Sequence, residues 1–383
     1  MEDTKYRESV AEYIKPSTWE KILRFIASTD EPSPYLLMDR DIIREKVSII
    51  GKNIRNSKVF YAVKANPDRD VLKYLAEMGM SFEIASEGEL RILTSLGVGN
   101  ERIISSNPMK SLRFLREALA AGVDRFAFDS VSEVDKLSVH APGCRVYVRL
   151  TVPNEGSEWP LSKKFGVEID EAVRLLTYAK KKGLVPVGLT FHVGSQCTNI
   201  YNWDTALDKA RQVWDKAGKK GISMKVLNIG GGYPIRYTKD VVEIEDIEQK
   251  VSESIYQKFP GDIEVHIEPG RAVVGDAGVF VAKVIGKAGR GDENWLYIDV
   301  GVFNGLMESV GGIKYLYYVD SRNEPKKWTI AGPSCDSFDV IDRDVELQEP
   351  SVGDTILILS CGAYTISYAS EFNGFSIPKT ILI

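Results

Sequence analysis

The sequence predicts an α/β protein in which a parallel eight-stranded barrel precedes an antiparallel β domain. Short runs rich in valine, isoleucine, leucine and phenylalanine recur eight times between residues 58 and 270, and helical stretches follow them. After Arg271 this alternation stops, and short β-like runs separated by turn clusters replace it. Strand–helix alternation is the pattern of parallel βα units, and eight such units close a (βα)8, or TIM, barrel.

Most of the predicted barrel strands end in a residue that can bind a ligand or carry chemistry. The eight runs are Lys58–Lys64, Ser81–Ser86, Arg102–Ser106, Arg125–Ser130, Arg145–Leu150, Gly188–Gly194, Val226–Gly232 and Glu264–Gly270. At or just after their ends lie Lys64, Glu83, Asn107, Asp129, Arg149, His192 with Ser195, the triplet Gly230, Gly231 and Gly232, and Glu268 with Arg271. Barrels of this kind have their active sites at the carboxyl ends of the strands, and the loops after strands 7 and 8 often bind phosphate. The glycine triplet and Arg271 fall on those two loops.

The segments outside the barrel have a different sequence pattern. Residues 1–30 look partly helical and amphipathic, and Tyr35–Asp39 is strand-like. The later β-like runs are Gly278–Ile285, Trp295–Asp299, Tyr315–Val319, Lys327–Ile330 and Thr355–Ser360, with turns at Lys287–Glu293 and Glu349–Asp354. Closely spaced short strands of this kind favour an antiparallel β domain.

Composition argues against several classes of partner. A net charge of −5 over 383 residues shows no basic bias, so nucleic acid is not expected as a partner. The four cysteines have neither the paired spacing of a metal site nor the density of a disulfide scaffold. No apolar run reaches about 18 residues, the minimum for a membrane span. We therefore expect a cytoplasmic protein without a metal or a membrane partner.

Three features of the predicted rim match the needs of one cofactor. A lysine with a lowered pKa can form a covalent bond to an aldehyde, glycine amides can approach a phosphate, and a carboxylate can bind a ring nitrogen. Lys64, the glycine triplet and Glu268 supply these groups, and together they match pyridoxal 5′-phosphate (PLP). Taken singly, each has an ordinary alternative: a surface lysine, a loop, and a rim ion pair with Arg271.

Two further residues have a structural and a chemical interpretation. His192 could be a structural histidine, or its ring could stack on a flat cofactor at the rim. Cys335 could be a small buried apolar residue. In the Gly-Pro loop, beside Asp336, it could instead be an exposed thiol that donates a proton.

Several long motifs in order identify a family resemblance. Over residues 33–380 the chain resembles the fold type III PLP-dependent basic amino-acid decarboxylases, the ornithine decarboxylase family. The motifs are YAVKAN with Lys64, FEIAS with Glu83, KFG at 164–166, HVGSQ at 192–196, IGGGYP at 229–234, EPGR at 268–271, GPSCDS at 332–337 and GAYTISYASEFNGF at 362–375. The resemblance implies three segments: residues 1–39 joining the β domain, a PLP-binding barrel over 40–274, and a C-terminal β domain over 275–383.

The resemblance also implies a role for each residue of the cofactor site. Lys64 bonds to the cofactor, His192 stacks on its ring, and Glu268 pairs with the pyridine nitrogen. The phosphate is held by Ser195, Gly230, Gly231, Gly232, Arg271 and Tyr364. Glu83 and Arg149 support the cofactor, and Glu89 is a further candidate. A carboxylate at the ring nitrogen keeps the ring electron-accepting, which favours decarboxylation over racemisation.

By the same resemblance, Cys335 returns a proton to the α-carbon and Asp336 binds the far ammonium of the substrate. In the family this loop comes from the partner subunit, and Phe372 matches an interface position, so we expect a homodimer with shared active sites. Diaminopimelate decarboxylases carry Cys-Glu-Ser where this chain has Cys335-Asp336-Ser337. A carboxylate at Asp336 suits an ammonium and would repel a second carboxylate. Glu308 is the nearest acid where ornithine decarboxylases have a second distal aspartate.

These residues predict decarboxylation of L-ornithine to putrescine in polyamine biosynthesis, and also of lysine to cadaverine. One methylene changes preference by only about 1–3 kcal/mol, so the choice between the two stays open. Alternatives are a diaminopimelate or arginine decarboxylase, a D-amino-acid substrate, and an antizyme-inhibitor-like protein that binds partners without catalysis. A single-barrel PLP carrier is a further alternative, but such chains lack the β domain.

Overall fold

The computed structural model describes residue 10 and residues 12–159 and 164–383. The strands are β1 (Tyr35–Met38), β2 (Ser57–Ala62), β3 (Ser81–Glu83), β4 (Ile103–Ile104), β5 (Arg125–Phe128), β6 (Arg145–Arg149), β7 (Ser157–Trp159), β8 (Val185–Thr190), β9 (Ser195–Cys197), β10 (Val226–Asn228), β11 (Glu264–Ile267), β12 (Gly278–Arg290), β13 (Glu293–Ile298), β14 (Tyr317–Val319), β15 (Pro325–Ala331), β16 (Val340–Gln348), β17 (Thr355–Ile358) and β18 (Lys379–Leu382). The α-helices span Pro16–Ser28, Arg40–Ile49, Arg69–Glu77, Glu87–Ser95, Leu112–Ala120, Val131–His140, Ile169–Lys181, Tyr201–Lys219, Ile244–Lys258 and Arg271–Val274.

The chain divides into two compact units. The barrel unit comprises Lys46–Pro234 and Val241–Gly270, and the β unit comprises the described residues up to Glu45 together with Ile235–Asp240 and Arg271–Ile383. Each unit is described by itself below.

Within the described residues, the barrel unit contains an eight-stranded parallel sheet in the order β4-β3-β2-β11-β10-β8-β6-β5. A parallel bridge between Ser105 and Phe126 joins β4 to β5, the two ends of this order. Helices surround the strands, so the strands are buried on both faces; all of β5, for example, is buried. The predicted fold class is confirmed.

Side-chain caps begin several of the barrel helices. The carboxylate of Asp68 accepts hydrogen bonds from the amides of Asp70 and Val71. The hydroxyl groups of Ser86, Ser111 and Ser130 each accept one from the amide three residues on. These caps satisfy amides that a helix leaves unpaired at its N-terminus. They also fix where each strand-end loop gives way to its helix, and those loops carry the candidate site.

The β unit is built on a sheet with the path β14-β17-β12-β13-β15-β16. β1 lies beside β12 in antiparallel orientation and beside β18 in parallel orientation. The core of the β unit includes Tyr35, Leu37, Val279, Val281 and Leu357, and the N-terminal helix adds Ile22.

The structure corrects several sequence-based expectations. Lys64 lies in a single 3₁₀ turn, Val63–Ala65, rather than at the end of a strand. β12 continues to Arg290 through part of the predicted turn Lys287–Glu293, because Gly291, with φ +61°, makes a tight turn there. Strands β16 and β18 were not predicted, and the pairs β13–β15 and β1–β18 are parallel, so the sheet is mixed rather than purely antiparallel.

No α-helix in the described part of the chain has the length and apolar character needed to cross a bilayer.

Candidate active site

In the barrel unit, Lys64 lies beside a buried carboxylate. Its Nζ is 3.6 Å from Oε2 of Glu83, and the side chains are 50% and 3% exposed, respectively. Oε1 of Glu83 accepts a hydrogen bond from the amide of Ser106 at 3.2 Å. Because Glu83 is held in place while Lys64 is half exposed, a ligand can reach the amine without losing the charge beside it.

Glu268 follows β11 and is buried, with two donors on one of its oxygens. Nδ2 of Asn228 donates to Oε1 at 2.5 Å, and the hydroxyl of Ser106 donates to the same atom. The hydroxyl of Tyr147 lies 2.9 Å from that of Ser106 and extends the network. The other oxygen, Oε2, accepts no hydrogen bond from the described residues. Glu268 therefore has one oxygen fixed by the protein and one available to a ligand.

Burial controls the charge state of this carboxyl group. Burial, together with the charge of Glu83, raises the pKa of Glu268 to about 7, although Ser106, Asn228 and Lys64 oppose the rise. Glu89 behaves alike: burial raises its pKa to about 7, while the amide of Ala85 donates to it at 2.6 Å and opposes the shift. A positively charged ring nitrogen placed against Glu268 would restore its ionised form.

His192 presents a neutral imidazole. Its Nδ1 accepts a hydrogen bond from the amide of Gly194 at 3.0 Å, so the neutral ring carries its proton on Nε2. Burial lowers the pKa of His192 well below its ordinary value, and the charges of Arg149 and Lys64 lower it further. Arg149, at the end of β6, is itself buried, which lowers its pKa, while the charges of Glu268, Asp129 and Glu83 counteract that effect.

The glycine triplet approaches its neighbouring loops too closely for any side chain. A Cβ atom on Gly230, Gly231 or Gly232 would lie 2.3–2.4 Å from the carbonyl oxygens of Phe191, Glu268 and Gly194, respectively. Gly230 and Gly232 also have φ values of +68° and +102°. The amide of Gly230 donates to Oδ1 of Asn228 at 2.9 Å, whereas those of Gly231 and Gly232 donate to no acceptor among the described residues. Two amides thus remain for an anion.

Ser195 begins β9, which lies against this loop. β9 pairs with β7, and the amide of Cys197 donates to the carbonyl of Gly232 at 2.9 Å. The fold therefore brings the predicted phosphate residues of the barrel unit into one neighbourhood.

In the β unit, Arg271 and Glu308 form a buried ion pair. Nη1 and Nη2 of Arg271 each lie 2.6 Å from a different carboxylate oxygen, and both side chains are 3% exposed. Nη1 also donates to the hydroxyl of Tyr237, and Cζ lies 4.8 Å from the centre of the Tyr364 ring. Although burial lowers the pKa of Arg271, its contacts with the oxygen atoms of Tyr237 and Glu308 raise it well above its ordinary value. Both oxygens of Glu308 are thus bound to an arginine.

The loop that carries Cys335 and Asp336 is exposed and anchored from both sides. The amide of Cys335 donates to Oδ1 of Asn373 at 2.9 Å. Asp339, which is buried, accepts hydrogen bonds from the amides of Ser334 at 2.9 Å and Val302 at 2.7 Å. Aromatic rings lie beside this loop: the ring of Phe303 lies 6.2 Å from that of Phe338 and 4.5 Å from that of Phe372.

The barrel residues fit PLP. The half-exposed amine of Lys64 suits its aldehyde, and the available oxygen of Glu268 suits its ring nitrogen. The neutral, flat imidazole of His192 suits its ring face, and the two glycine amides without an acceptor suit its phosphate. They lie on loops that follow parallel strands of one barrel, where such sites are found.

Sequence analysis missed the residues that orient the candidate side chains within each unit. Asn228, Ser106, Tyr147, Tyr237 and Asp339 belong to common polar types and to no chemical motif. Two had a usable signal, because Ser106 ended a predicted strand and Asn228 came two residues before the glycine triplet. Asn107 and Asp129, which did attract attention, accept amide hydrogen bonds from Met109 and Gly166.

Comparison with known proteins agrees with this chemistry. The family model for the pyridoxal binding domain of pyridoxal-dependent decarboxylases matches residues 40–275. A lysine/ornithine decarboxylase from Selenomonas ruminantium is 37% identical over 355 residues, which cover 92% of this chain and 90% of that protein. Antizyme inhibitor 2 from Xenopus laevis is 33% identical, covering 93% of this chain and 82% of its own length.

Among solved structures, one described as SrLDC in complex with PLP and cadaverine superposes with a TM-score of 0.88 at 36% identity, covering 95% of this chain and 93% of that chain. The family match spans more than half of the chain and includes both Lys64 and Glu268. With the fold, the cofactor chemistry of the rim and the relatives in agreement, this chain belongs to the fold type III pyridoxal-dependent decarboxylases, carboxy-lyases that use PLP.

Proposed function

We propose that this enzyme decarboxylates L-ornithine to putrescine and also accepts lysine, giving cadaverine. The observation that carries the proposal is the exposed Asp336 beside Cys335 in the loop of the β unit. An exposed carboxylate attracts a distal ammonium and repels the second carboxylate of diaminopimelate. The 37% identity to a lysine/ornithine decarboxylase supports a substrate of this class. We further propose a role in polyamine biosynthesis in the cytoplasm, where the four unpaired thiols would stay reduced.

The chain's own residues divide the work of the reaction. Lys64 would hold the cofactor through Nζ, the group that competes with the amine of the substrate for the aldehyde. Glu268 would keep the ring nitrogen protonated, and His192 would support the ring face. When bound, the cofactor supplies an electron-accepting ring that stabilises the negative charge left at the α-carbon as carbon dioxide departs. Cys335 delivers a proton from Sγ to that carbon.

We propose that Asp336 alone binds the distal ammonium group of the substrate. Oδ1 of Asp336 accepts the amide of Phe338 at 2.8 Å, which orients the carboxylate. Glu308, the other acid predicted for this contact, has both oxygens on Arg271. We propose that Glu308 contributes indirectly, by orienting the guanidinium group that is predicted to meet the phosphate.

A homodimer with shared sites completes the proposal. The β unit exposes large apolar side chains in the Cys335 loop and in residues 368–377, whose Asn373 accepts the amide of Cys335; they are Phe338 (53%), Tyr368 (46%), Phe372 (40%), Phe375 (36%) and Ile377 (42%). Large apolar side chains gathered at one place on a surface commonly mark a protein interface. A second copy of this chain would cover them and receive Cys335 and Asp336 at its own site.

A substrate panel tests the proposed activity. Ornithine, lysine, arginine and diaminopimelate are each incubated with the PLP-loaded enzyme, and the amine products are identified by mass spectrometry. We expect putrescine and cadaverine, and no product after Lys64→Ala substitution. Lys58→Ala is the matched control, since Lys58 is an exposed barrel lysine paired with Glu264. Agmatine alone would identify an arginine decarboxylase. No amine from any substrate would favour the antizyme-inhibitor-like alternative.

A further inference from the structure

One side chain connects the acid of the site to its glycine loop. Asn228 ends β10 and is fully buried. Its Nδ2 donates to Oε1 of Glu268 at 2.5 Å, and its Oδ1 accepts the amide of Gly230 at 2.9 Å. A second link runs through the backbone, where the amide of Glu268 donates to the carbonyl of Gly230 at 2.7 Å.

The chemistry of the two contacts fixes the orientation of the amide group. The backbone N–H of Gly230 can only donate, so the oxygen of Asn228 must face it. The NH₂ group then points to Glu268, whose carboxylate can accept. Because the amide plane is rigid, a shift of the glycine loop moves the donor that holds Glu268, and the reverse is also true. Aspartate and alanine cannot keep both contacts.

Ser106 provides an internal comparison. Its hydroxyl donates to the same oxygen, Oε1 of Glu268, and lies next to the hydroxyl of Tyr147. It makes no hydrogen bond to the glycine triplet in the described part of the chain. Nδ2 of Asn228 also donates to the hydroxyl of Ser106 at 3.4 Å, but Oδ1 of Asn228 stays on Gly230 when that hydroxyl is removed. Loss of Ser106 should therefore disturb Glu268 and leave the loop in place, whereas loss of Asn228 should disturb both Glu268 and the loop.

We propose that Asn228 is a positioning residue that sets the distance between the ring-nitrogen end and the phosphate end of the cofactor site. By holding Oε1 of Glu268 and the first amide of the glycine triplet, it directs Oε2 of Glu268 and the amides of Gly231 and Gly232 toward one ligand. This inference rests on the roles proposed for Glu268 and for the triplet.

The test measures cofactor binding instead of turnover. Dissociation constants of PLP and of pyridoxal, which lacks the phosphate, are determined by equilibrium dialysis for the wild-type chain, Asn228→Ala, Asn228→Asp and Ser106→Ala. The visible absorbance of each PLP-bound protein is then titrated with pH. The ratio of the two dissociation constants reports the phosphate end, and the pH titration reports the ring end.

Asn228→Ala should reduce the preference for PLP over pyridoxal by about tenfold, the effect of leaving a buried donor unpaired, and should also shift the pH titration. Asn228→Asp keeps an oxygen for Gly230, so its preference should stay near that of the wild type while its titration shifts. Ser106→Ala should shift only the titration.

Two outcomes would overturn the inference, and they can be told apart. If Asn228→Ala matches Ser106→Ala in both measurements, Asn228 does not couple the two ends, although the site itself stands. If the wild-type chain binds pyridoxal as tightly as PLP, the phosphate role of the triplet fails and the inference fails with it. Asn228→Asp, which keeps the size of the side chain, guards against a folding defect in the alanine variant.

Discussion

Glu268 shows how a single buried carboxyl group makes a cofactor-free protein sensitive to pH. Its pKa is about 7 in the folded chain against 4.5 for an ordinary glutamate, mainly because it is buried. Between these two values the folded protein keeps a proton that the unfolded chain releases. The contribution of Glu268 to stability is therefore full below pH 4.5 and is lost as the pH rises toward 7.

We expect Glu268→Gln to reduce the pH dependence of the cofactor-free protein and to leave the part that comes from Glu89, whose pKa is also about 7. Between pH 5 and 7 the wild type should lose on the order of 1–3 kcal/mol of unfolding free energy through this group. Urea denaturation at the two pH values measures the difference. Glu171→Gln is the control, because Arg174 lowers the pKa of that exposed glutamate and leaves it ionised throughout the range. An unchanged slope in Glu268→Gln would show that the carboxyl group is ionised in the folded chain.

Cys335 is the residue for which product identity is more informative than rate. We expect Cys335→Ala to release carbon dioxide but to misdirect the returning proton, because no thiol faces the α-carbon. The products should then include oxidised, transamination-type compounds beside the amine. Mass spectrometry of the reaction of the variant with ornithine checks this. Clean putrescine would remove Cys335 from the proposed role.

Residues that carry chemistry themselves could be found from the sequence, and residues that act through others could not. Lys64, Glu83 and Glu268 drew attention because a charged group at the end of an apolar run is unusual. Asn228 and Ser106 are ordinary at such positions. Their importance arises only when the residues at the ends of β4, β10 and β11 come together in space.

At the scale of elements, the loop after β10 depends on having no side chains. Gly230 combines φ +68° with a position where a Cβ would lie 2.3 Å from the carbonyl oxygen of Phe191. Both features disfavour any other residue. The neighbouring loop after β8, which carries His192 and Ser195, would have to move to admit even a methyl group.

Gly230→Ala should therefore lower the unfolding free energy by about 1–3 kcal/mol, the cost of an overpacked site, and weaken PLP binding. Gly218→Ala is the matched control. Gly218 lies near the end of the helix Tyr201–Lys219, and a Cβ there meets nothing within 4 Å. This control should raise stability by up to about 1 kcal/mol. Thermal unfolding of both variants checks the two directions, and a neutral Gly230→Ala would show that the loops are adaptable.

The eight barrel strands were predictable in number and order because the apolar pattern that marks them is local, although each strand ends one to four residues before the predicted run does. The barrel strands follow short uninterrupted apolar runs, and their prediction is confirmed. β16 was missed because charged residues interrupt its pattern, which reads VIDRDVELQ. β18 has only four residues and gains its identity from the distant partner β1. Parallel pairing inside the β unit likewise depends on contacts that no local pattern encodes.

At the scale of the whole molecule, the proposal of shared active sites predicts that activity depends on the dimer. If Cys335 of one chain serves Lys64 of another, Lys64→Ala alone should form no amine, and Cys335→Ala alone should form amine mixed with transamination-type products. Mixed and allowed to exchange subunits, they should recover about a quarter of wild-type activity, because half of the dimers then contain one intact site.

Sedimentation analysis of the same mixture shows whether dimers are present. Phe372→Ala should weaken the dimer, whereas Tyr256→Ala, on an exposed residue of the barrel unit, should leave it unchanged. Dimers without recovered activity would argue for sites that each chain completes by itself.

The placement of β1 has a consequence for biosynthesis. Tyr35–Met38 leaves the ribosome early, yet its two neighbours, β12 and β18, begin at residues 278 and 379. At a synthesis rate of about 5–20 residues per second, this buried segment waits on the order of ten seconds or longer for its first neighbour. While the barrel strands are being made, the nascent chain therefore carries β1 without either of its strand partners. We expect chaperones to bind these four residues during translation.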